Sequence, residues 1–249
     1  MKLYSELAEY YYFIENNGRN IANDVFFIRN YLPNKIPVYL LDIGCGTGEH
    51  CNLLSREAVK CTGIDSSDDM IRIAKKRYGG IEFIVSDMKK FEYFEKYDCA
   101  ISLFGSMDYL LDNNEINLAL WNTRNALKKN GIAIFEIWSA EPVLLIRKKE
   151  ISHVSTTIAS GKKIKRERGF NVINDSDVVT VQVDYRYEIS GGTDVKQLTD
   201  SHTMRAYRTG EFDDITKENG FKIIDKFSST QKEKVKSNSN RIVYVLEKI

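Results

Sequence analysis

One stretch limits the possible folds more than any other. Val38-Tyr39-Leu40-Leu41-Asp42-Ile43-Gly44-Cys45-Gly46-Thr47-Gly48 is an apolar strand that passes through an aspartate into glycines at alternate positions and then into a helical pattern. Glycine has no Cβ, so the backbone can turn sharply there and lie against a ligand. The start of the following helix offers unpaired N–H groups to the same place. A phosphate-cradling loop would close with Gly-Lys-Ser/Thr, whereas Gly48 is followed by Glu49 and His50. A dinucleotide loop would read G-x-G-x-x-G. Here the spacing is G-x-G-x-G, with an acid two residues before the first glycine. Such a carboxylate repels a pyrophosphate and suits a ligand that carries an ammonium group. An ordinary tight turn would use the same glycines, so the neighbouring elements decide.

Three further strand ends answer. Lys60-Cys61-Thr62-Gly63-Ile64-Asp65 ends in an acid about 20 residues past the glycine turn, where a βαβ nucleotide fold places its ribose-binding carboxylate. Asp65 equally suits a helix cap, with Ser66, Ser67 and Asp68 beside it, and both roles can hold at once. Ile81 to Met88 is a third strand running into Asp87, and Tyr97 to Phe104 a fourth that runs into Gly105-Ser106-Met107-Asp108-Tyr109. Strands and helices alternate from Val38 to Trp138, which means a mostly parallel sheet with helices on both faces. A ligand then sits at the carboxyl ends of the strands, where Asp42, Asp65, Asp87 and Leu103 converge.

Around this core the pattern changes. Leu3 to Leu32 has roughly helical spacing around a break at Asn16-Asn17-Gly18. After Pro142 long alternating strands follow, Lys162 to Ile173, Val178 to Ile189 and Val195 to Tyr207, joined by the turn sequences 174–177 and 191–194. The middle strand sends Val179, Val181, Val183, Tyr185, Tyr187 and Ile189 to one face, which must cover something apolar. Thr209 to Asn219 returns to helix, ended by Gly220, before strands Phe221 to Phe227 and Arg241 to Glu247. The expected fold class is therefore α/β, a doubly wound, mostly parallel seven-stranded sheet with an antiparallel β insertion before the last helix and strand pair. The expected parts are a helical lid and cofactor core over 1–150, the insertion as a substrate cover over 151–208, and a return to the core over 209–249.

Asp42-x-Gly44-x-Gly46-x-Gly48, followed by acids at Asp65 and Asp87, resembles the motifs of class I S-adenosylmethionine (SAM) methyltransferases. Over nearly its whole length the chain is similar to their glycine N-methyltransferase-like branch, especially the N-methyltransferases of dTDP-amino sugars. The shared segments are Ala8-Glu9-Tyr10-Tyr11, Gly105-Ser106-Met107-Asp108-Tyr109-Leu110, Glu136-Ile137-Trp138 and the insertion through Ser201-His202. The resemblance implies a cofactor site formed by Asp42, Gly44, Cys45, Gly46, Gly48, Asp65, Ser66, Met70, Asp87, Met88 and Leu103. In it Asp87 would face the adenine amino group and the Met88 amide the ring. It also implies that Tyr11 closes over the cofactor and that Arg19 pairs with the methionine carboxylate. Tyr11 lies between Tyr10 and Tyr12 and also fits a core position, and Arg19 also fits a solvated helix break. His202 matches a histidine of the amino-sugar enzymes, although its strand face, shared with Leu198, Met204 and Ala206, favours a buried structural histidine. Tyr109 stands where some of those enzymes carry histidine. Tyr11, Tyr109 and His202 are thus the candidate catalytic residues. The implied activity is methyl transfer from SAM, leaving S-adenosylhomocysteine (SAH), to a small-molecule acceptor, an amine before all. O-methylation, or a SAM-binding module without turnover, are the alternatives.

Other classes are set aside on composition and motif. The formal net charge is +1 with 29% charged residues, so there is no general bias toward nucleic acid or an anionic membrane. Adenine amino-methyltransferases carry Asp/Asn-Pro-Pro-Tyr/Phe where this chain has Leu103-Phe104-Gly105-Ser106, and protein arginine methylation would want two glutamates where only Glu136 stands near. Lys2, Glu6 and Glu9 interrupt the N-terminus, and no apolar run approaches the ~20 residues of a membrane span, so a cytoplasmic protein, monomer or homodimer, is expected. Cys45, Cys51, Cys61 and Cys99 have no C-x-x-C spacing, and no metal is expected. The run Lys162 to Arg168 offers charge to a substrate phosphate, but reads most simply as an edge strand protected by Lys and Arg. Arg241 falls near a phosphate-contacting arginine of the resembling enzymes.

Overall fold

The computed structural model describes residues 1–16, 19–56, 58–146, 152–191 and 194–249. Val38–Ile43 (β1) and Tyr97–Ser102 (β4) are buried along almost their whole length, the signature of strands covered on both faces. They form the middle of a seven-stranded sheet with Val59–Asp65 (β2), Glu82–Val85 (β3), Leu127–Trp138 (β5), Phe221–Phe227 (β10) and Arg241–Lys248 (β11). The order is β10-β11-β5-β4-β1-β2-β3, parallel except that β11 runs antiparallel to both neighbours. Chain order reverses between β1 and β4, so the crevice at their carboxyl ends is the switch point where such sheets bind ligands.

The helices on this sheet start and stop where side chains permit. Asp68–Arg77 (α4) is capped by Ser67, whose hydroxyl accepts from the Met70 amide at 3.3 Å, with Asp68 and Asp69 in its first turn and Lys75, Lys76 and Arg77 in its last. Asn113–Ala126 (α5) is capped by Asp112, and Glu115 reaches back to the Leu111 amide. Glu211–Glu218 (α7) ends at Gly220, which has φ +75°, as expected of that glycine.

The insertion is a second, four-stranded antiparallel sheet, Ser152–Ala159 (β6), Lys162–Asn174 (β7), Val179–Gly191 (β8) and Asp194–Ala206 (β9). On β8 all six residues expected inside, from Val179 to Ile189, are buried, and they pack on Leu3, Leu7 and Ile14 of the N-terminal segment. β6 was not expected, because its Ser- and Thr-rich sequence lacks a strong alternation. It changes the meaning of the Lys162 to Arg168 run: β7 is hydrogen-bonded to β6 on one side and β8 on the other, so it is no edge strand. Arg166 instead turns inward and pairs with Glu15.

The N-terminal segment also differs. Lys2–Tyr4 and Ala8–Tyr10 are single 3₁₀ turns, and only Tyr11–Glu15 (α1) and Ile21–Arg29 (α2) are α-helical. Tertiary contacts override the helical spacing here, since the Leu3 amide donates to Asp200 and the Tyr4 carbonyl accepts from Ser67. Residues 17–18 of the expected helix break, 192–193 of the second turn and 147–151 around the expected insertion boundary lie outside the described residues. Among the described residues no helix is long and apolar enough to cross a membrane.

Candidate functional site

The glycine turn joins β1 to Glu49–Ser55 (α3), and Gly44, Gly46 and Gly48 all have positive φ. All three are tied to closeness as well as to backbone conformation, and a Cβ on Gly44 would run into the Ser106 side chain. A Cβ on Gly48 would lie 2.6 Å from the Phe83 ring, and one on Gly46 3.2 Å from the Tyr11 ring. Asp65, at the end of β2, accepts from the Gly46 amide through Oδ2 and from the Ser67 amide through Oδ1, both at 2.9 Å. It thereby ties the glycine turn to the start of α4, while the cap itself is Ser67. Burial pushes the Asp65 carboxyl upward, and the two amides offset this only in part.

A cleft of about 540 Å³ opens over these residues. Gly44, Gly46, Asp65, Ser66, Met70, Asp87 and Met88 of the expected cofactor set line it. Cys45 and Leu103 line a smaller adjoining hollow that also reaches Tyr11 and Phe104. Asp42, Gly48 and Arg19 line neither. Asp42 is sealed beneath the turn, where it accepts from the Cys51 thiol at 3.6 Å, and burial raises its pKa to about 6. The four cysteines are all buried and free. Among the described residues no group of His, Cys, Asp and Glu could hold a metal ion.

Past β4 the chain takes left-handed conformations at both Phe104 (φ +58°) and Gly105 (φ +74°), strain for a phenylalanine of the kind that collects at functional sites. This places the Phe104 ring under the Arg19 guanidinium, 3.9 Å from centroid to Cζ. Arg19 donates through Nη1 to both oxygens of Glu136, at 2.8 and 2.6 Å, and through Nε to Asp24 at 2.9 Å. Its Nη2 is buried with no hydrogen-bond partner. Glu136 also accepts from Arg241 at 3.0 Å, so one buried carboxylate joins the N-terminal segment, β5 and β11.

A second, smaller cavity adjoins the cleft, and Tyr4, Tyr11, Phe104 and Tyr109 line both. Its far walls bring together acids, Glu15, Asp108 and Glu136, and two arginines, Arg168 and Arg241. Arg168 lies over the Phe170 ring at 5.2 Å, and its Nε is buried without a hydrogen-bond partner. Of the three candidate catalytic residues, Tyr11 and Tyr109 line this cavity. His202 does not: its side chain is fully buried behind Tyr109, whose hydroxyl lies 2.7 Å from His202 Nδ1. Sequence reasoning missed Tyr4, Asp200 and Arg168. Tyr4 belongs to no motif, Asp200 is one acid in the middle of β9, and Arg168 falls in a basic run whose sequence reads as an edge.

Comparison with known proteins is consistent with this arrangement. A methyltransferase domain family model matches residues 40–131. A dTDP-3-amino-3,4,6-trideoxy-alpha-D-glucopyranose N,N-dimethyltransferase of Streptomyces venezuelae is 23% identical over 81% of this chain and 83% of its own. Among solved structures, a SAM-dependent methyltransferase from Clostridium acetobutylicum superposes with TM-score 0.81 at 19% identity, covering 98% of each chain. A SAM-bound amino pentose methyltransferase from Micromonospora echinaspora does so with TM-score 0.74 at 16% identity, over 95% of this chain and 94% of that one.

Proposed function

The chain is a class I SAM-dependent methyltransferase, and from that premise we propose that it methylates the amine of a small molecule that also carries an anionic group, such as an amino-sugar nucleotide. The observation that carries this reading is the second cavity, which meets the cofactor cleft at Tyr4, Tyr11, Phe104 and Tyr109 and has both carboxylates and arginines in its walls. Glu15, paired with Arg166, and Glu136, paired with Arg19 and Arg241, give the wall carboxylates beside a cationic amine, and Arg168, whose Nε has no hydrogen-bond partner, suits a phosphate or pyrophosphate. The amino-sugar enzyme of Streptomyces venezuelae supports the same class of acceptor.

The cleft fits SAM on its own features. Its volume of about 540 Å³ is that of a small-molecule site, the bare backbone of Gly44 and Gly46 lines it, and Asp65 is prepositioned by two amides. Asp65 would take the ribose hydroxyls, and Asp87 and Met88 the adenine. When bound, SAM supplies an electrophilic methyl group on a sulfonium. The protein's own part is alignment and exclusion of water, worth up to about 7–11 kcal/mol in well-oriented systems. Tyr4 and Tyr11 serve that part by covering the junction of the two cavities.

Incubation with methyl-labelled SAM and separate pools of amino-sugar nucleotides, plain amines and hydroxy acids tests the reading. Label is expected in the amino-sugar nucleotides first. Equal labelling of plain amines would remove the role of the arginines, and labelling of the hydroxy acids alone would make the protein an O-methyltransferase. SAM binding without transfer to any pool would favour a binding module.

A further inference from the structure

We propose that Tyr4, Tyr109, His202 and Asp200 form a proton relay, which draws a proton from the methyl acceptor into the protein interior. The inference rests on reading the second cavity as the acceptor site. Its geometry is a continuous line: Tyr4 Oη lies 2.6 Å from Tyr109 Oη, Tyr109 Oη 2.7 Å from His202 Nδ1, and His202 Nε2 3.0 Å from Asp200 Oδ2. Asp200 Oδ2 also accepts from the Leu3 amide at 2.9 Å.

The inner end fixes the direction of every bond. An ionised carboxylate only accepts, so the proton between Asp200 and His202 sits on Nε2. A neutral imidazole carries one N–H, which leaves Nδ1 as an acceptor. Tyr109 must then donate to Nδ1, and its oxygen must accept from Tyr4. The Tyr4 hydroxyl has thereby spent its proton, and its lone pairs have no partner among the described residues. Tyr4 lines both cavities, so the open acceptor of the whole line belongs to the residue where cofactor and acceptor meet.

The surroundings keep His202 neutral and ready. Around it stand Tyr4 and the N-terminal amine from the N-terminal turn, Glu15 of α1, Tyr109 after β4, Tyr185 of β8 and Asp200 on its own strand. Burial lowers the His202 pKa and outweighs the raising effect of Asp200. Burial raises Asp200, but the Leu3 amide and His202 hold it below its ordinary value, so it stays ionised.

The step balances without any added reagent. The acceptor's N–H bond breaks and its proton joins Tyr4 Oη, while the Tyr4 proton passes to Tyr109 and the Tyr109 proton to His202 Nδ1. The acceptor nitrogen keeps the electron pair it needs for attack. Both tyrosines end as neutral phenols, and His202 ends as an imidazolium beside the Asp200 carboxylate. A simple amine is mostly an ammonium ion near pH 7, so this removal is what makes it a nucleophile. Phenylalanines at 4 and 109 would pack the same space without carrying a proton.

The first test needs no acceptor. Long-range ¹H–¹⁵N spectra of the imidazoles are simple in a chain with three histidines, and His202→Gln assigns the signal. The Nε2–H tautomer is expected at neutral pH, and Tyr109→Phe should move the Nδ1 resonance toward that of an unbonded ring nitrogen while the His50 and His153 signals stay in place. A wild-type Nδ1–H tautomer, or no change in Tyr109→Phe, would overturn the relay even if methyl transfer is found. The second test uses the amino-sugar nucleotide pool with labelled SAM. Tyr4→Phe and Tyr109→Phe should each lower kcat by roughly 10²–10⁴-fold, and the alkaline rise of kcat/KM at the His202 pKa should vanish in His202→Gln. Unchanged kcat and an unchanged pH profile would equally end the proposal.

Discussion

Asp65→Asn separates the two duties of the carboxylate at the end of β2. The carboxylate has about four lone-pair sites on two oxygens. Two of them are taken by the Gly46 and Ser67 amides, one on each oxygen. Two remain for a ribose diol. Asparagine keeps one oxygen and turns an NH₂ toward one of the amides, so one backbone N–H loses its partner. Leaving a buried donor unpaired costs about 1–3 kcal/mol. For a chain of this size that lowers the Tm of the ligand-free protein by roughly 2–12 °C. The diol also loses one hydrogen bond to a charged group, about 1.5–3 kcal/mol, or roughly 10–150-fold in the dissociation constant for SAH. Calorimetric titration with SAH and thermal unfolding without it read the two effects apart. A lower Tm with unchanged SAH affinity would leave Asp65 as a purely structural tie and refute the ribose role.

Two other outcomes follow from buried or unpaired charge. Asp42 has a folded pKa of about 6 against an ordinary 3.8; folding therefore takes up a proton between these values, and stability from this site falls as pH rises from about 4 to 6. Asp42→Asn should stabilise the ligand-free protein by up to about 3 kcal/mol above pH 6 and by nothing below pH 4, read by urea unfolding across that range; a pH-independent gain would contradict the assignment. Arg168→Gln removes a guanidinium whose Nε has no hydrogen-bond partner, so Tm should hold within about 2 °C while KM for a phosphate-bearing acceptor rises roughly tenfold or more, the worth of a charge-assisted hydrogen bond. An unchanged KM would take Arg168 out of the acceptor site.

The cofactor half of the molecule was legible because its constraints are local. Glycines at positions 44, 46 and 48 must have positive φ and close neighbours, and only one residue type satisfies that. Strands buried on both faces read as apolar runs, and the β8 alternation identified its inner face residue by residue. What was illegible depends on distant partners. β6 exists because β7 offers it a ladder of hydrogen bonds, not because Ser152–Ala159 alternates. The 3₁₀ turn at Lys2–Tyr4 is held by contacts to Asp200 and Ser67, nearly 200 and about 60 residues away, and in the turn at Ala8–Tyr10 the Glu9 carbonyl accepts from Arg77. His202 was visible as a candidate, but its place behind Tyr109 rather than in the cavity was not.

This division has a consequence for what can vary among such proteins. The segment that matches the methyltransferase domain, residues 40–131, contains the glycine turn, Asp65, Asp87 and Met88 and so most of the cofactor cleft. The acceptor cavity draws on Tyr4, Tyr11 and Glu15 before it and on Glu136, Trp138, Arg168, Tyr185, Met204 and Arg241 after it. Those outer elements are packed on one another, β8 against Leu3, Leu7 and Ile14, and they are joined to the sheet through the Arg19–Glu136–Arg241 cluster. A change in the insertion therefore reshapes the acceptor cavity without touching the glycine turn. Tyr4, Tyr11, Phe104 and Tyr109 are the exceptions, since they line both cavities. Substitutions there should alter SAH affinity and acceptor turnover together, whereas substitutions at Arg168 or Met204 should alter acceptor turnover alone.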